Sequence, residues 1–546
     1  MQQEIKLSGT VEDIIFRNEE NGYTVLEIDS YGVQVCAVGA MPYVNIGEKV
    51  TLTGMYKNHP TYGEQFSVAS CEIEMPDTKA SILKYLSSGA IKGIGASTAA
   101  AIVEEFGEDS LNVMKNEPKR LAKIKGISLN KAMEITGRLN EIYGLKDIMM
   151  YLEKYGIDAF HCVKVWKALG KDAIAVIENN PYILCGETIG ISFHTADGIA
   201  RDKEELKNSD YRIHAGLIHV LNHNRNNGQT CLPQDRLSET TAEFLEVDTR
   251  RSDEVLDQMV DDNILCRDKI GDRDFIFLPD IYKAEQYSAD CLKMMLHFPP
   301  EPISDIVEEI EKIEQKDNIH YASLQRDAIE QALSKGLLIL TGGPGTGKTT
   351  TLNAIIKILK KNGEKVFLAA PTGRAAQRMS ALTGCEAKTI HRLLEVCWND
   401  DDKPYFKKNE KNRLSCNALI LDELSMIDSM LFESVLKALP VGCRLIMVGD
   451  CDQLPSVGAG NVLSDLILSD IIPVVQLKEI FRQSMQSLIV TNAHMIVTGE
   501  MPELNRRDGD FFFLPGTSPA AINKTIVELC ALRLPKSYGY SPLEDI

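Results

Sequence analysis

The chain has 546 residues, of which 44% are hydrophobic and 25% charged, and these values predict a globular protein of several domains and exclude a disordered or collagen-like chain. No apolar run approaches the roughly 18–20 residues that span a bilayer, and the N-terminus lacks a secretory signal, so we expect a cytoplasmic protein with no membrane partner. The formal net charge of −19 argues against binding of nucleic acid over the whole surface but is compatible with a local basic channel.

The thirteen cysteines are scattered from Cys36 to Cys530, and no two have the Cys-x-x-Cys spacing of a zinc site. In a reducing cytoplasm we therefore expect free thiols rather than disulfides.

Residues 1–76 predict a small β-barrel of the OB type. Segments rich in β-branched and aromatic residues alternate with turn signals such as Asn21-Gly22. Five strands in about 70 residues fit a closed barrel. Such barrels bind single strands in some proteins and only dock on neighbouring domains in others, so both roles stay open. The predicted strands include residues 23–28, 33–38, 49–53 and 65–68.

Residues 77–205 predict helices with a repeated glycine turn. Residues 91–95 and 124–128 each carry this turn directly before a helix, and residues 189–192 are a weaker third copy. The turns resemble helix-hairpin-helix elements, whose free backbone N–H groups suit one DNA phosphate. A tight helix–helix turn with purely structural glycines is the alternative, but a basic cluster beside the second copy favours contact with DNA. The predicted DNA-contact residues are Gly93, Gly95, Lys123, Lys125, Gly126 and Lys131.

Two further segments precede the region that carries the chemistry. Residues 206–290 predict a helical module that ends in a hairpin at residues 275–278, which fits a winged-helix-like fold. The sequence does not indicate the function of this module. Residues 291–319 predict an acidic linker helix, and a charge run of this kind is typical of a solvated face.

A phosphate-binding loop is predicted at residues 342–350. The apolar run 337–340 predicts a buried strand before the loop, and residues 352–359 predict a helix after it, which is the context that such loops require. The glycines let backbone N–H groups wrap the phosphates of ATP. Lys348 supplies a charge at the β/γ-phosphates, and the Thr349 hydroxyl is a predicted Mg²⁺ ligand. The predicted nucleotide-binding residues of this loop are Gly342, Gly343, Pro344, Gly345, Thr346, Gly347, Lys348, Thr349 and Thr350.

Two more apolar strands lead to candidate catalytic residues. The strand at residues 419–421 ends in Asp422 and Glu423, which are predicted to hold Mg²⁺ and to polarise the attacking water, respectively. The strand at residues 445–448 leads to Gln453, an uncharged polar residue that can sense the γ-phosphate.

The sequence Gly-Asp-Cys-Asp-Gln-Leu-Pro at residues 449–455 makes the resemblance specific: the chain resembles superfamily 1 helicases of the RecD-like ATP-dependent DNA helicase family. The resemblance implies that Gln325 reads the adenine edge and that Arg482, within residues 477–483, lies at the γ-phosphate. It also implies that residues 369–376 and 389–394 contact the DNA strand. The candidate residues in these two motifs are Pro371, Thr372, Arg374, Thr389 and His391.

Two mechanistic features also follow from the resemblance. Relatives that move 3′→5′ typically have an aromatic residue at the position of Pro371, so the resemblance implies 5′→3′ movement. Residues 397–411 have a turn-rich centre between aromatic residues, which predicts a β-hairpin. In the family a hairpin here is the pin that splits the duplex, whereas an ordinary surface hairpin is the alternative.

The predicted fold class is multi-domain α/β, because a RecA-like P-loop motor domain at residues 320–470 follows the OB-like β-barrel and the helical modules. Residues 471–546 are predicted to begin a second RecA-like domain. In the family that domain contains two more motifs, one of which supplies a second catalytic arginine. Since the chain ends at Ile546, we interpret it as a truncated chain or gene fragment.

The predicted function is an ATP-dependent 5′→3′ DNA helicase or translocase of repair or recombination, with ATP and Mg²⁺ as cofactors. Its predicted partners are single-stranded DNA and duplex junctions with a 5′ tail, and protein partners are unknown. A protein-remodelling or clamp-loading ATPase is one alternative, against which the motif at residues 449–455 argues. The other alternative, for a truncated chain, is a fragment that binds DNA and ATP with little turnover.

Overall fold

The computed structural model describes residues 5–18, 22–41, 44–46, 48–59, 63–74, 78–87, 91, 93–201, 203–399, 404–479, 486–506 and 509–544. The chain divides into two compact units, one formed by Met1–Val220 and Leu237–Met259 and the other by Leu221–Arg236 and Val260–Ile546.

The N-terminal region is a closed five-stranded barrel in the order β1-β2-β3-β5-β4, in which β1 also pairs with β4. Alternate side chains point inward, and Leu26, Ile28, Leu52 and Phe66 are completely buried in its core. The OB-like barrel predicted from the sequence is therefore confirmed. Its strands are β1 Ile5–Arg17, β2 Tyr23–Ser30, β3 Val33–Ala40, β4 Lys49–His59 and β5 Gly63–Glu74.

Eight α-helices follow among the described residues, and the two stronger glycine turns have matching backbone conformations. Gly93 has a φ of 101° and Gly126 a φ of 95°, values that favour glycine because other residues are strained there. These turns precede α2 and α5. The helices are α1 Lys79–Ser87, α2 Ala96–Phe106, α3 Ser110–Asn116, α4 Pro118–Leu121, α5 Leu129–Glu153, α6 Ala159–Leu169, α7 Ala173–Asn179 and α8 Phe193–Ala200.

The next module has the order helix, strand, helix, helix and hairpin, with a three-stranded sheet in the order β6-β8-β7. This order is that of a winged helix, and the predicted hairpin is formed by β7 and β8 around Gly271, whose φ is 63°. The elements are α9 Asp210–Asn226, β6 Cys231–Pro233, α10 Gln234–Leu245, α11 Thr249–Asp261, β7 Cys266–Ile270 and β8 Arg273–Phe277.

The motor region is built on a six-stranded parallel sheet in the order β11-β10-β14-β15-β9-β16. The central strands are buried on both faces, as their continuous apolar sequences predict. Its strands are β9 Leu337–Gly342, β10 Val366–Ala370, β11 Ala387–Thr389, β14 Ala418–Leu421, β15 Arg444–Gly449 and β16 Val474–Leu477, and β12 Val396–Trp398 and β13 Pro404–Phe406 form a separate hairpin.

Helices cover both faces of this sheet. The segment predicted as a linker contains α13, and Ile310 of α13 is buried in the core beneath the sheet while Glu309 pairs with Lys361. The helices of this region are α12 Pro279–His297, α13 Ile306–Asp317, α14 Ser323–Ser334, α15 Lys348–Lys361, α16 Gly373–Thr383, α17 Ile390–Leu393, α18 Ser429–Ala438, α19 Val462–Leu468 and α20 Leu488–Val497. Two further helices without buried residues follow them, α21 Pro519–Glu528 and α22 Leu534–Tyr538.

Within the described ranges, no helix combines the length and apolar character needed to span a membrane. The thirteen cysteines are all free thiols.

Candidate nucleotide site and DNA-contact surface

The phosphate loop connects β9 to α15 at the carboxyl edge of the sheet. Gly345 and Gly347 have φ values of 77° and 83°, which turn successive backbone N–H groups toward one side of the loop. Gly342 lies so close to β16 that a Cβ there would be 2.6 Å from the Leu477 carbonyl oxygen. The predicted strand, loop and helix are therefore present in the predicted order.

A cleft of about 520 Å³ opens above this loop and contains side chains that come from separate parts of the sequence. The strand order explains why they meet, because β15 lies between β9 and β14 and the carboxyl ends of the three strands share one edge. The predicted site residues that line the cleft are Gly343, Pro344, Gly345, Thr346, Gly347, Lys348, Thr349, Thr350, Asp422, Glu423 and Gln453.

Lys348 makes contacts within its own loop. Its Nζ donates to the carbonyl oxygen of Gly343 at 3.1 Å and to that of Gly342. Burial lowers the pKa of Lys348, although the nearby carboxylates of Asp450 and Glu423 oppose that shift. A desolvated cation gains strongly from an anionic ligand.

Asp422 and Glu423 form the acidic side of the cleft. Burial raises the pKa of both carboxyl groups, and Asp422 adds to the shift of Glu423 by charge repulsion. Glu423 has a φ of 54°, and its backbone N–H donates to Asp422 Oδ1 at 3.0 Å. Mg²⁺ binds oxygen ligands, and Asp422 and Thr349 both supply side-chain oxygens to this cleft.

Gln453 lines the cleft beyond the end of β15. Its Nε2 lies 3.5 Å from Oδ2 of Asp450, a carboxylate that is 3% exposed. The side chain amide is thus placed between the buried carboxylate and the cleft, where it can respond to a ligand at the phosphate loop.

Gln325 contacts the phosphate loop from the opposite side. It is 3% exposed, its Oε1 accepts from Ala322 N at 3.1 Å, and its Nε2 lies 3.4 Å from the Gly347 carbonyl oxygen. The amide therefore faces the main chain of the loop in this structure. Arg482, the other residue that the resemblance placed at the nucleotide, lies outside the described residues.

Three residues near the cleft were missed in the sequence analysis. Arg378 lines the cleft one helical turn after Arg374, and it carries positive charge toward Asp422 and Glu423. The spacing of the two arginines on α16 is the signal that could have indicated it. Val490 of α20 also lines the cleft, and His494 of the same helix contacts the phosphate loop.

The candidate DNA-gripping residues lie at the same edge of the sheet. Thr372 and Thr389 use their hydroxyls as N-caps, accepting from the backbone N–H groups of Ala375 and Arg392 at 3.2 Å each. These caps fix the starts of α16 and α17. Pro371 directly precedes the first cap, and Arg374 is exposed on the first turn of α16.

The hairpin of β12 and β13 is attached to the second of these motifs. The ring of His391 lies 5.7 Å from that of Phe406 in β13, and Lys408 N donates to the Leu394 carbonyl at 3.0 Å. Trp398 and Tyr405 are exposed on the hairpin. The two strands of the hairpin predicted at residues 397–411 are present, while residues 400–403 lie outside the described residues.

Some basic residues beside the glycine turns contact other side chains of the protein, and others are exposed. Lys115 lies 4.3 Å from the centre of the Tyr143 ring, and Arg120 pairs with Glu117. Lys123 and Lys125 are exposed. The third predicted lysine, Lys131, joins the two turns, because its Cε would be 3.8 Å from a Cβ at Gly93. The turns and these three lysines thus form one basic surface within the first unit.

Three family models match parts of the chain. A model described as the OB-fold domain of the ATP-dependent DNA helicase YrrC matches residues 4–76. A model of the ATP-dependent RecD2 DNA helicase HHH domain matches residues 141–231. A model of an AAA domain matches residues 325–459, which contain the cleft residues from the phosphate loop to Gln453.

Relatives are similar over different lengths. The ATP-dependent RecD2 DNA helicase of Deinococcus radiodurans is 27% identical over 515 residues, which cover 91% of this chain and 70% of that protein. The RecBCD enzyme subunit RecD of Mycolicibacterium smegmatis is 40% identical over 166 residues, 26% of this chain and 30% of that protein. A crystal structure of Pif1 helicase from Candida albicans is 23% identical, with a TM-score of 0.26 over 40% of this chain and 55% of that chain.

Proposed function

We propose that the chain is a RecD-like ATP-dependent DNA helicase, to which its similarities point. In this proposal it couples ATP hydrolysis in the phosphate-loop cleft to 5′→3′ movement on single-stranded DNA and to duplex unwinding. The observation that carries this proposal is the meeting of Lys348, Thr349, Asp422, Glu423 and Gln453 in one cleft. Recombination or repair is the proposed cellular context.

Lys348 is proposed to exchange its loop carbonyls for the β/γ-phosphates of ATP. Thr349 and Asp422 would hold Mg²⁺, which supplies charge neutralisation at the phosphates when it is bound. Glu423 is positioned beside them to accept a hydrogen bond from the attacking water. Gln453 would contact the γ-phosphate and couple its presence to the main chain beyond β15. Arg482 is proposed as a further positive charge at the γ-phosphate.

Contact with DNA is proposed along the edge of the sheet and at the glycine turns. Thr372, Arg374, Thr389 and His391 would hold the strand next to the nucleotide cleft, so a change in the cleft can reach the strand through α16. The aromatic hairpin beside His391 is proposed to split the duplex. Gln325 is proposed to read the adenine edge after releasing the Gly347 carbonyl.

The test compares strand displacement on two otherwise identical duplexes that carry a 5′ or a 3′ single-stranded tail. We expect ATP-dependent displacement of the 5′-tailed duplex only, and Glu423→Gln serves as the control without hydrolysis. Displacement from the 3′ tail would overturn the proposed polarity.

A parallel ATPase measurement with and without single-stranded DNA separates the remaining alternatives. Strong stimulation by DNA supports the motor, whereas turnover that is indifferent to DNA favours a protein-remodelling ATPase. Tight binding of ATP and DNA with almost no turnover would instead assign this chain the role of a binding fragment.

A further inference from the structure

His494 on α20 lies directly against the phosphate loop. Its Nε2 is 3.2 Å from the carbonyl oxygen of Pro344. A Cβ added to Gly343 would be 2.7 Å from Cε1 of the same ring. The imidazole thus both hydrogen-bonds the loop and occupies the space that a side chain at position 343 would need.

Helix α20 is fixed by contacts that do not involve the phosphate loop. Ser487 caps its start and donates to Asp510 Oδ2 at 2.6 Å, and Ile489 N donates to the other oxygen of Asp510 at 3.2 Å. Asn492 is 1% exposed and exchanges two hydrogen bonds, of 3.1 and 2.8 Å, with the main chain of Glu503. The ring of His494 is therefore presented by a well-anchored helix.

The Pro344 carbonyl is the group whose direction matters for a phosphate ligand. A carbonyl oxygen that faces a phosphate repels it, so the loop can bind phosphates only if its carbonyls point away from them while its N–H groups point toward them. The carbonyls of Gly342 and Gly343 accept from Lys348, but Lys348 must turn to the nucleotide. The Pro344 carbonyl has a separate donor in His494, which does not need to leave.

We propose that His494 is a positioning residue for nucleotide binding: its Nε2–H holds the Pro344 carbonyl outward and so orients the N–H groups of the loop toward the phosphates. The inference rests on the proposed nucleotide function of the cleft. Val490, one helical turn earlier, lines that cleft, so α20 joins the nucleotide to the segment that follows β16.

Two isosteric amides distinguish this hydrogen bond from simple packing. The amide nitrogen of a glutamine reaches the position of Nε2, whereas that of an asparagine ends near Nδ1. We expect His494→Ala and His494→Asn to weaken the binding of Mg²⁺–ADP by about fivefold, the value of one hydrogen bond, and His494→Gln to restore affinity to within twofold. Calorimetric titration of the 546-residue chain measures this, and His297→Ala, an exposed histidine on α12, is the matched control.

A double-mutant cycle tests the contact in a second way. Gly343 does not have a positive φ, so alanine is allowed there by the backbone and would instead displace the His494 ring. We expect Gly343→Ala to weaken nucleotide binding less in the His494→Ala background than in the parent. Equal losses in both backgrounds would overturn the contact.

The outcomes also separate this inference from the proposed function. If Lys348→Ala weakens binding but the three His494 variants bind like the parent, the role of His494 is wrong and the cleft assignment stands. If His494→Gln loses as much affinity as His494→Ala, the ring acts by packing and the proposal fails. If Lys348→Ala itself binds like the parent, the cleft assignment fails. Melting curves of the asparagine and glutamine variants, which share one amide chemistry, show whether both are equally folded.

Discussion

The ammonium group of Lys348 lies 3.1 Å from the carbonyl oxygen of Gly343, within the same loop. Together with its bond to Gly342, this contact holds the ammonium group against the main chain of the loop. In the proposed function, the negatively charged phosphates of ATP replace these two carbonyl partners.

Lys348→Ala is expected to weaken the binding of Mg²⁺–ATP by roughly 10- to 150-fold, because a hydrogen bond to a charged group contributes about 1.5–3 kcal/mol. Calorimetric titration provides the measurement. Lys335→Ala, which removes an exposed lysine from the same domain, is the control and should bind ATP like the parent. Parental affinity in Lys348→Ala would remove this residue from the site.

Glu423→Gln is expected to trap ATP rather than release it. The amide preserves the shape of the side chain but no longer activates water, so turnover should fall by about 10²–10⁴-fold while the dissociation constant of Mg²⁺–ATP stays within a few-fold. Single-turnover hydrolysis and nucleotide titration are measured side by side, with Glu330→Gln on the exposed face of α14 as the control. Undiminished hydrolysis in Glu423→Gln would contradict the assigned role.

Much of this cleft could be predicted from the sequence because its residues follow continuous apolar runs, and such runs end at one edge of a parallel sheet. The apolar runs before Asp422 and Gln453 therefore predicted the strands β14 and β15 correctly. The order that places β15 between β9 and β14 could not be read, since it depends on which strands pair. His494 was missed for the same reason: its contact with Pro344 joins residues far apart in the chain and depends on the packing of α20.

The lengths of the barrel strands could not be predicted from the sequence. The predicted strands span four to six residues each, but β4 extends over Lys49–His59 and β5 over Gly63–Glu74. Closure of a barrel continues the pairing into polar residues that carry no pattern of their own, and β1 accommodates the curvature with register shifts between Val11 and Asp13 and between Ile14 and Phe16.

Neutralising Lys123, Lys125 and Lys131 together is expected to weaken binding about equally for all DNA sequences, because these side chains would touch phosphates rather than bases. The slope of log affinity against log salt concentration should fall by up to roughly 0.7 for each lost single-strand contact. A salt titration of oligonucleotide binding measures it. Removing Lys154, Lys164 and Lys171 changes the net charge equally and is the control; a parental slope in the first variant would mean that the cluster is only a solvated surface.

Arg444→Ala is expected to destabilise the motor region by about 2–4 kcal/mol, because Arg444 is 1% exposed and donates to the carbonyl oxygen of Leu333 at 2.9 Å and to that of Glu301. Hydrogen exchange of the β15 amides in urea reports this region separately from the first unit. Arg413, an exposed arginine that donates to the Leu439 carbonyl at 3.2 Å, is the matched control, and its alanine variant should lose less than about 0.5 kcal/mol. Equal losses in the two variants would show that burial of Arg444 contributes nothing.

The last prediction concerns Glu48, a carboxyl group directly before β4 that is 2% exposed. Burial raises the pKa of Glu48 to about 7 from its ordinary value of 4.5, although hydrogen bonds from Asn45 oppose the shift. A folded state with the higher pKa binds the proton more tightly than the unfolded chain. The contribution of Glu48 to the stability of the barrel is therefore fully present below about pH 4.5, and up to about 3 kcal/mol of it is lost as the pH rises through 7. The glutamine of Glu48→Gln cannot ionise. The β2 amides of this variant should therefore be better protected from hydrogen exchange than those of the parent, by a margin that grows from pH 5 to pH 8.

The exposed Glu64 of β5 provides the control, since Glu64→Gln should follow the parent at every pH. If Glu48→Gln is less protected than the parent at pH 8, the carboxylate stabilises the barrel and the direction derived from its burial is wrong.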